Sequence, residues 1–212
     1  MQFDCRGHEN RIRLVKEYDI KPLIYTVVLP NQKKYSCAAH KELEDRYFAF
    51  EYVSKNNPSD RGMFFVGEKA GFDFIDILKE NDPNIFIPHF FNPLHPDQTK
   101  KSNKSSSESQ KTGNSYFKMT KLNEEVFIAI NLLFIAWDKV PYTNIQSILE
   151  FCTTAKVDTQ EWAVKVVNDL VGKDYFKRSL KDIVAELEID KKYDFDEMIK
   201  KIKENGWENN IV

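Results

Sequence analysis

Between positions 99 and 115 the chain reads Thr-Lys-Lys-Ser-Asn-Lys-Ser-Ser-Ser-Glu-Ser-Gln-Lys-Thr-Gly-Asn-Ser, without one large apolar side chain. A segment that buries nothing has no favourable term to set against the roughly 1–2 kcal/mol per residue that ordering a backbone costs. It cannot belong to a core, so it divides the 212-residue chain into two stretches that each have to fold around a core of their own. The expectation is a flexible, basic, Ser/Lys-rich linker over 99–115, joining a module at 1–98 to a module at 116–212. With sixteen Phe and nine Tyr against seven Gly, both modules should pack aromatic rings densely.

The linker is also the only basic stretch. Residues 1–98 hold 13 basic and 15 acidic side chains, residues 99–115 hold 4 and 1, and residues 116–212 hold 14 and 17. A net charge of −2 sets up no overall field to draw in nucleic acid or an acidic membrane surface. The most apolar run, 126–137, is interrupted by Asn131 and is too short for a bilayer core of ~30 Å. Met-Gln-Phe-Asp-Cys-Arg offers no apolar signal-peptide region. Three cysteines at unrelated spacings make no disulfide framework and suit a reducing compartment. A soluble, cytoplasmic protein is expected.

The second module reads as an all-α five-helix bundle. Residues 122–138 place Leu122, Val126, Ile130, Leu133, Phe134 and Trp137 at helical spacing and are apolar nearly all round, as a central buried helix would be. Helices follow at 143–155, at 159–171 with Gly172 as cap, and at 179–189. A last one is headed by an aspartate capping box at Asp194-Phe-Asp-Glu197. Cys152 falls on an apolar face and reads as core.

The first module reads as α+β: a helix-like stretch at 11–18, and a short hairpin from 23–29 through Pro30-Asn31-Gln32 to 33–36. A helix at 39–53 would carry Leu43, Tyr47, Phe50 and Val53 on one side, with Ser36 as its N-cap. Met63-Phe-Phe-Val-Gly67 reads as a short apolar strand and 70–80 as a helix burying Phe72, Ile75 and Leu78. The two glycines of Phe65-Val-Gly67-Glu-Lys-Ala-Gly71 make neither a G-x-G-x-x-G nor a G-K-[ST] and are read as serving the turn. Prolines at 88, 93 and 96 make 85–96 an extended aromatic arm.

Cys and His are scarce, with three and four copies, yet Cys5 and His8 form one C-x-x-H and Cys37 and His40 form another. Together they supply the Cys₂His₂ set that tetrahedral zinc takes. Gly7 gives the first pair a permissive backbone for a knuckle, and the second pair would share one face of a first helical turn. The order of knuckle, hairpin and helix-borne second pair resembles a treble-clef zinc module over residues 5–40. Both pairs are C-x-x-H, where such modules commonly have C-x-x-C at the knuckle. The resemblance implies a structural zinc ion on Cys5, His8, Cys37 and His40. The same residues also admit a metal-free reading, with Cys37 as a buried small hydrophobe and the other three at the surface.

No catalytic residues are assigned: the chain has no serine elbow and no H-E-x-x-H. A metal-dependent nuclease of the His-Asn-His type is the enzymatic alternative, with His89, Asn92, His95 and Asp97 supplying residue types but not the strand-loop-helix frame. Asp73 and Asp76 read as the solvent side of their helix. Arg6, Arg11, Arg13, Lys16 and Lys21 form a local basic patch that would contact nucleic acid. The expectation that follows is a non-enzymatic binding or regulatory adaptor with a protein partner, held in its first module by zinc or, without the metal, by packing alone.

Overall fold

The structure, a computed structural model, describes residues 4–94, 119–138 and 145–212. The expected linker at 99–115 lies outside the described residues, as do His95, Asp97, Pro141 and the start of the helix expected from 143. The protein is α+β, with a four-stranded mixed sheet and seven helices among the described residues. It divides into two units, Met1–Phe91 and Asn92–Val212.

In the first unit helix α1, His8–Glu17, runs without a loop into strand β1, Tyr18–Val27, because Tyr18 is already extended at φ −128° and ψ 146°. Strands β2 (Arg46–Ser54), β3 (Arg61–Gly67) and β4 (Phe90–Phe91) complete a sheet of order β3-β2-β1-β4. β2 is antiparallel to both neighbours, while β4 lies parallel to β1, where the Thr26 hydroxyl donates to the Phe91 carbonyl at 2.7 Å. The β1 register shifts between Pro22 and Ile24, where proline has no N–H to give the ladder. Helix α2, Glu68–Asn81, packs on β2, β3 and α1. Phe48, Phe50, Phe64, Val66, Phe74 and Ile75 form the heart of this core, with Phe50 stacked on Phe64 at 5.3 Å and 10°.

Residues 46–54 are strand, not the helix expected over 39–53. Tyr47 and Ala49 are as buried as Phe48 and Phe50. A strand covered on both faces loses the alternation that marks strands and reads like a short helical stripe. The hairpin partner of β1 is therefore β2, and residues 33–36 do not return along it. Gly67 sits at φ −64°, open to any residue, so the turn does not require it. Gly71 is there for packing: a Cβ at this position would lie 2.1 Å from the Phe48 ring, so glycine lets α2 settle on the sheet. Phe72 stays 44 % exposed, its ring edge-on to Tyr25 and Phe48.

The second unit holds α3 (Lys121–Trp137), α4 (Ile145–Thr154), α5 (Glu161–Gly172), α6 (Leu180–Glu186) and α7 (Asp196–Glu204). α3 is buried almost all round and touches each of the other four. Its N-cap Thr120 accepts the Asn123 N–H at 3.2 Å. Ser179 and Asp182 form a reciprocal capping box on α6, and the carbonyls of Asn210 and Ile211 accept the Leu180 and Lys181 N–H groups. The N-cap of α7 is Phe195, with no side-chain cap bond of its own, in place of the box expected at Asp194. Its Met198 N–H is taken instead by the buried Glu125 carboxylate of α3 at 2.9 Å.

Candidate functional site

Cys5 lies just ahead of α1 and is fully buried, while Cys37 is half-buried, and both belong to the same packed cluster. The Cys5 thiol donates to the Cys37 sulfur, which also accepts the Cys5 backbone N–H. Donation to Cys37, with burial second, drives the Cys5 thiol far up. Acceptance from Cys5 brings the Cys37 thiol down in spite of burial. Two thiols distant in sequence thus meet, and both have anchored backbones. The Arg11 guanidinium donates to the Cys5 carbonyl at 3.1 Å, and the Cys37 N–H to the Phe65 carbonyl of β3 at 2.8 Å.

The second C-x-x-H sits on a tight turn rather than a helix. The Ser36 hydroxyl accepts the Ala39 N–H at 3.2 Å, and the Ser36 carbonyl accepts the His40 N–H at 2.8 Å. That is the start of a helical cap. His40 then turns left-handed at φ 52°, and the Ser36 N–H bonds the Lys41 carbonyl at 2.8 Å, which closes the turn and sends the chain back. A bridge between Tyr35 and Glu42 pairs the two arms. The first pair has its own left-handed residue in Gly7, at φ 83°.

Each histidine is held by an aspartate. His8 Nδ1 lies 2.9 Å and 3.0 Å from the two Asp73 oxygens, and Arg11 Nε donates to the same carboxylate. His40 Nε2 lies 3.5 Å from Asp4. Partial burial acts to raise Asp73, but the bonds from Arg11 and His8 outweigh it and leave the carboxyl below its usual range. The Arg6 backbone N–H, with His40, lowers Asp4. Among the described residues no three His, Cys, Asp or Glu side chains gather as a metal-binding group. The fold brings the two thiols together and leaves the imidazoles on Asp73 and Asp4. Asp73, expected on the solvent side of α2, is the residue that organises this corner.

The expected basic patch is partly engaged: Arg11 is bound as described and Arg13 lies 3.9 Å from Glu17, while Lys16 and Lys21 are exposed. Of the His-Asn-His set, His89 is exposed and Asn92 is buried, its Oδ1 accepting the Leu94 N–H at 3.0 Å; His95 and Asp97 lie outside the described residues.

The second unit has a feature with no counterpart in the sequence reading. Asp174, buried after α5, accepts Arg178 Nη2 at 2.7 Å, Arg178 Nε at 3.0 Å and Trp137 Nε1 at 3.2 Å. It also takes the Phe176 and Arg178 backbone N–H groups at 3.0 and 3.2 Å. These bonds, those from Arg178 first, lower its carboxyl to about 2. The chain wraps round this one carboxylate, with Lys177 left-handed at φ 56°, and points Tyr175 and Phe176 outward, 89 % and 69 % exposed. The two rings stand perpendicular, 5.1 Å apart at 86°. The Asp174 to Arg178 spacing of one helical turn is a faint signal in the sequence.

The chain belongs to the family described as uncharacterised conserved protein UCP028583, whose model matches residues 3–194. No curated protein and no solved structure matches it. Among the described residues no helix is long and apolar enough to cross a membrane.

Proposed function

We propose that the chain is a non-enzymatic, cytoplasmic binding or regulatory protein. In this reading the first unit carries a structural zinc ion on Cys5, His8, Cys37 and His40, and the five helices form a bundle that presents a docking surface. The observation that supports the metal is the meeting of Cys5 and Cys37, while His8 and His40, each three residues on from one of them, rest one ring nitrogen on an aspartate. Zinc-ligating histidines are commonly oriented in this way by a carboxylate. His8 Nε2 and His40 Nδ1 remain for the ion, and the two imidazoles would turn toward the thiols to complete a tetrahedron at about 2.0–2.3 Å. All four positions would then be protein atoms, which leaves none for water or substrate. The binding half rests on the exposed Tyr175 and Phe176, since adjacent solvent-facing rings on a bonded loop are typical of contact surfaces.

The test is metal content of the purified full chain by elemental mass spectrometry, beside Cys37→Ser. About one zinc per chain, lost in the variant together with thermal stability, supports the reading. Metal-free protein from a chelator-free preparation removes zinc and leaves a plain interaction module. Divalent-metal-dependent cleavage of plasmid DNA, abolished in a His89→Ala/His95→Ala variant, would replace both with the nuclease alternative.

A further inference from the structure

Cys5 and Cys37 belong to segments far apart in the chain, yet two separate contacts lay those segments side by side. The Cys5 S–H and backbone N–H both donate to the Cys37 sulfur, inside one packed cluster. Just outside that cluster Asp4 and His40 meet at 3.5 Å. Each backbone is also anchored from another element, Cys5 through its carbonyl to Arg11 at 3.1 Å and Cys37 through its N–H to Phe65 of β3 at 2.8 Å. Two cysteines join only where the fold already makes them neighbours; otherwise the backbone has to move. Here both are thiols that already touch as donor and acceptor. Burial divides their roles. Cys5 is 0 % exposed, whereas Cys37 is partly open to solvent, so a reagent from outside meets Cys37 first. Cys152, buried on α4 of the second unit, is closed to such a reagent.

The structure assigns Cys37 as a thiol-modification site for low-molecular-weight disulfides, with Cys5 as the resolving thiol that closes a reversible Cys5–Cys37 disulfide. In the first step the Cys37 sulfur, its proton given to water, attacks one sulfur of a disulfide such as oxidised glutathione. A Cys37–glutathione bond forms, the glutathione S–S bond breaks, and the departing thiolate takes up a proton. In the second step Cys5 attacks the Cys37 sulfur and its proton passes to the second departing glutathione. Two protein thiols are thereby oxidised by two electrons, and one glutathione disulfide is reduced to two thiols. In a reducing compartment such a pair rests as thiols and closes only under oxidant, as sensing pairs with a resolving cysteine do. The product ties the chain ahead of α1 to the turn at 36–41. This step needs no metal, but it bears on the zinc ion proposed above. Sulfurs joined to each other are no longer thiolate ligands, so the ion and the disulfide exclude one another.

The experiment incubates the purified full chain with oxidised glutathione beside a chromophoric zinc chelator, alkylates the remaining thiols, and maps tryptic peptides by mass spectrometry. Trypsin separates Cys5, in residues 1–6, from Cys37, in residues 35–41, so the disulfide reads as one linked pair. That pair should appear in most of the wild type, vanish with dithiothreitol, and leave Cys152 outside it. Cys5→Ala should stop at a single glutathione on Cys37, and Cys37→Ala should leave Cys5 reacting about tenfold or more slowly than Cys37 does in the wild type. Glutathione retained on Cys37 of the wild type, a pair that includes Cys152, or both thiols recovered alkylated would each overturn the proposal. The wild-type map decides this even if a variant fails to fold. The zinc signal is read separately. A disulfide formed with no zinc released keeps the modification site and removes the ion, and zinc passed to the chelator with both thiols recovered does the reverse.

Discussion

Asp73 in the first unit and Asp174 in the second make the same bond, a carboxylate on an arginine, to different ends. Asp73 shares itself between Arg11 and His8 and is part-exposed, so it fixes the position of a side chain that has a ring nitrogen left over. Asp174 is nearly closed off from solvent and is filled by donors, two of them backbone N–H groups, so it fixes the path of the chain. One pair leaves chemistry available at the surface, and the other leaves only shape and exposed rings. What a charged pair contributes is decided by its second and third partners and by its burial, not by the pair itself.

The largest effect should come from breaking the closed member. Asp174→Ala leaves the half-buried Arg178 guanidinium with Glu186 alone and strands two backbone donors at once, so a loss of about 3–5 kcal/mol is expected in urea unfolding. The acid limb sharpens the point. The folded-state carboxyl lies at about 2 against an ordinary value of 3.8. The native state therefore binds fewer protons between those values, and the stability Asp174 supplies is complete above about pH 5 and lost as pH falls through 4 toward 2. Asp174→Asn should flatten that part of a Tm-versus-pH curve. A wild-type curve already flat there would break the contrast.

The open member should matter less for stability and more for ligand. Asp73→Ala removes one partner of a part-exposed pair, costing about 1–2 kcal/mol. If His8 ligates zinc, the loss of its carboxylate should weaken zinc by about 10–100-fold in a chelator competition. Equal zinc affinity in variant and wild type would show that Asp73 orients nothing.

Residue type was legible at the first corner and invisible at the second. Scarce cysteines and histidines at matched spacing singled out Cys5, His8, Cys37 and His40, and the fold does bring the thiols together. The pattern could not reveal that Asp73 and Asp4 receive the imidazoles, because an aspartate on a helix looks the same whether it faces water or a neighbour. At 39–53 helical spacing puts Leu43, Tyr47, Phe50 and Val53 on one side, yet only Tyr47 and Phe50 are buried, on opposite faces of a strand covered on both sides, and Leu43 and Val53 stay partly exposed. The capping at Ser36 was also real, yet His40 adopts a left-handed backbone and the helix never propagates. The extents of α2 and α3 were legible because their apolar stripes are long. Exposure of Tyr175 and Phe176 ran against the ordinary expectation for such rings, which is why the loop escaped notice.

A third acid reverses the electrostatics of Asp174. Glu125 is 3 % exposed, and burial raises its carboxyl although the Met198 and Glu197 N–H groups pull the other way. Among the described residues its Oε1 has no hydrogen bond, with Lys121 Nζ 3.8 Å away. The native state here binds its proton more tightly than the unfolded chain. The contribution of Glu125 is therefore most favourable below the ordinary glutamate range and declines as pH rises through its raised value. Glu125→Gln keeps an acceptor for Met198 and removes the charge. At neutral pH it should change stability by less than about 1 kcal/mol, in the stabilising direction, and it should abolish that decline. A destabilised variant at neutral pH would mean that the charge on the α7 N-terminus outweighs its desolvation.

The smallest expected effect separates the two roles of the Asp174 loop. Tyr175 and Phe176 extend into solvent, and the hydrogen bonds that shape the loop come from Asp174, Arg178, Trp137 and the backbone. Removing both rings takes away little buried area, so Tyr175→Ser/Phe176→Ser should unfold within about 0.5 kcal/mol of wild type. The contacts at stake are the edge-on meeting of the two rings and the Arg178 guanidinium over Phe176, and at an exposed site the latter is worth about 0.5–1 kcal/mol at most. A loss well beyond that in urea unfolding would place the rings among the supports of the loop. If the loss stays small, the rings contribute to something other than folding, and the comparison with Asp174→Ala shows a rigid frame and its exposed cargo as separable parts.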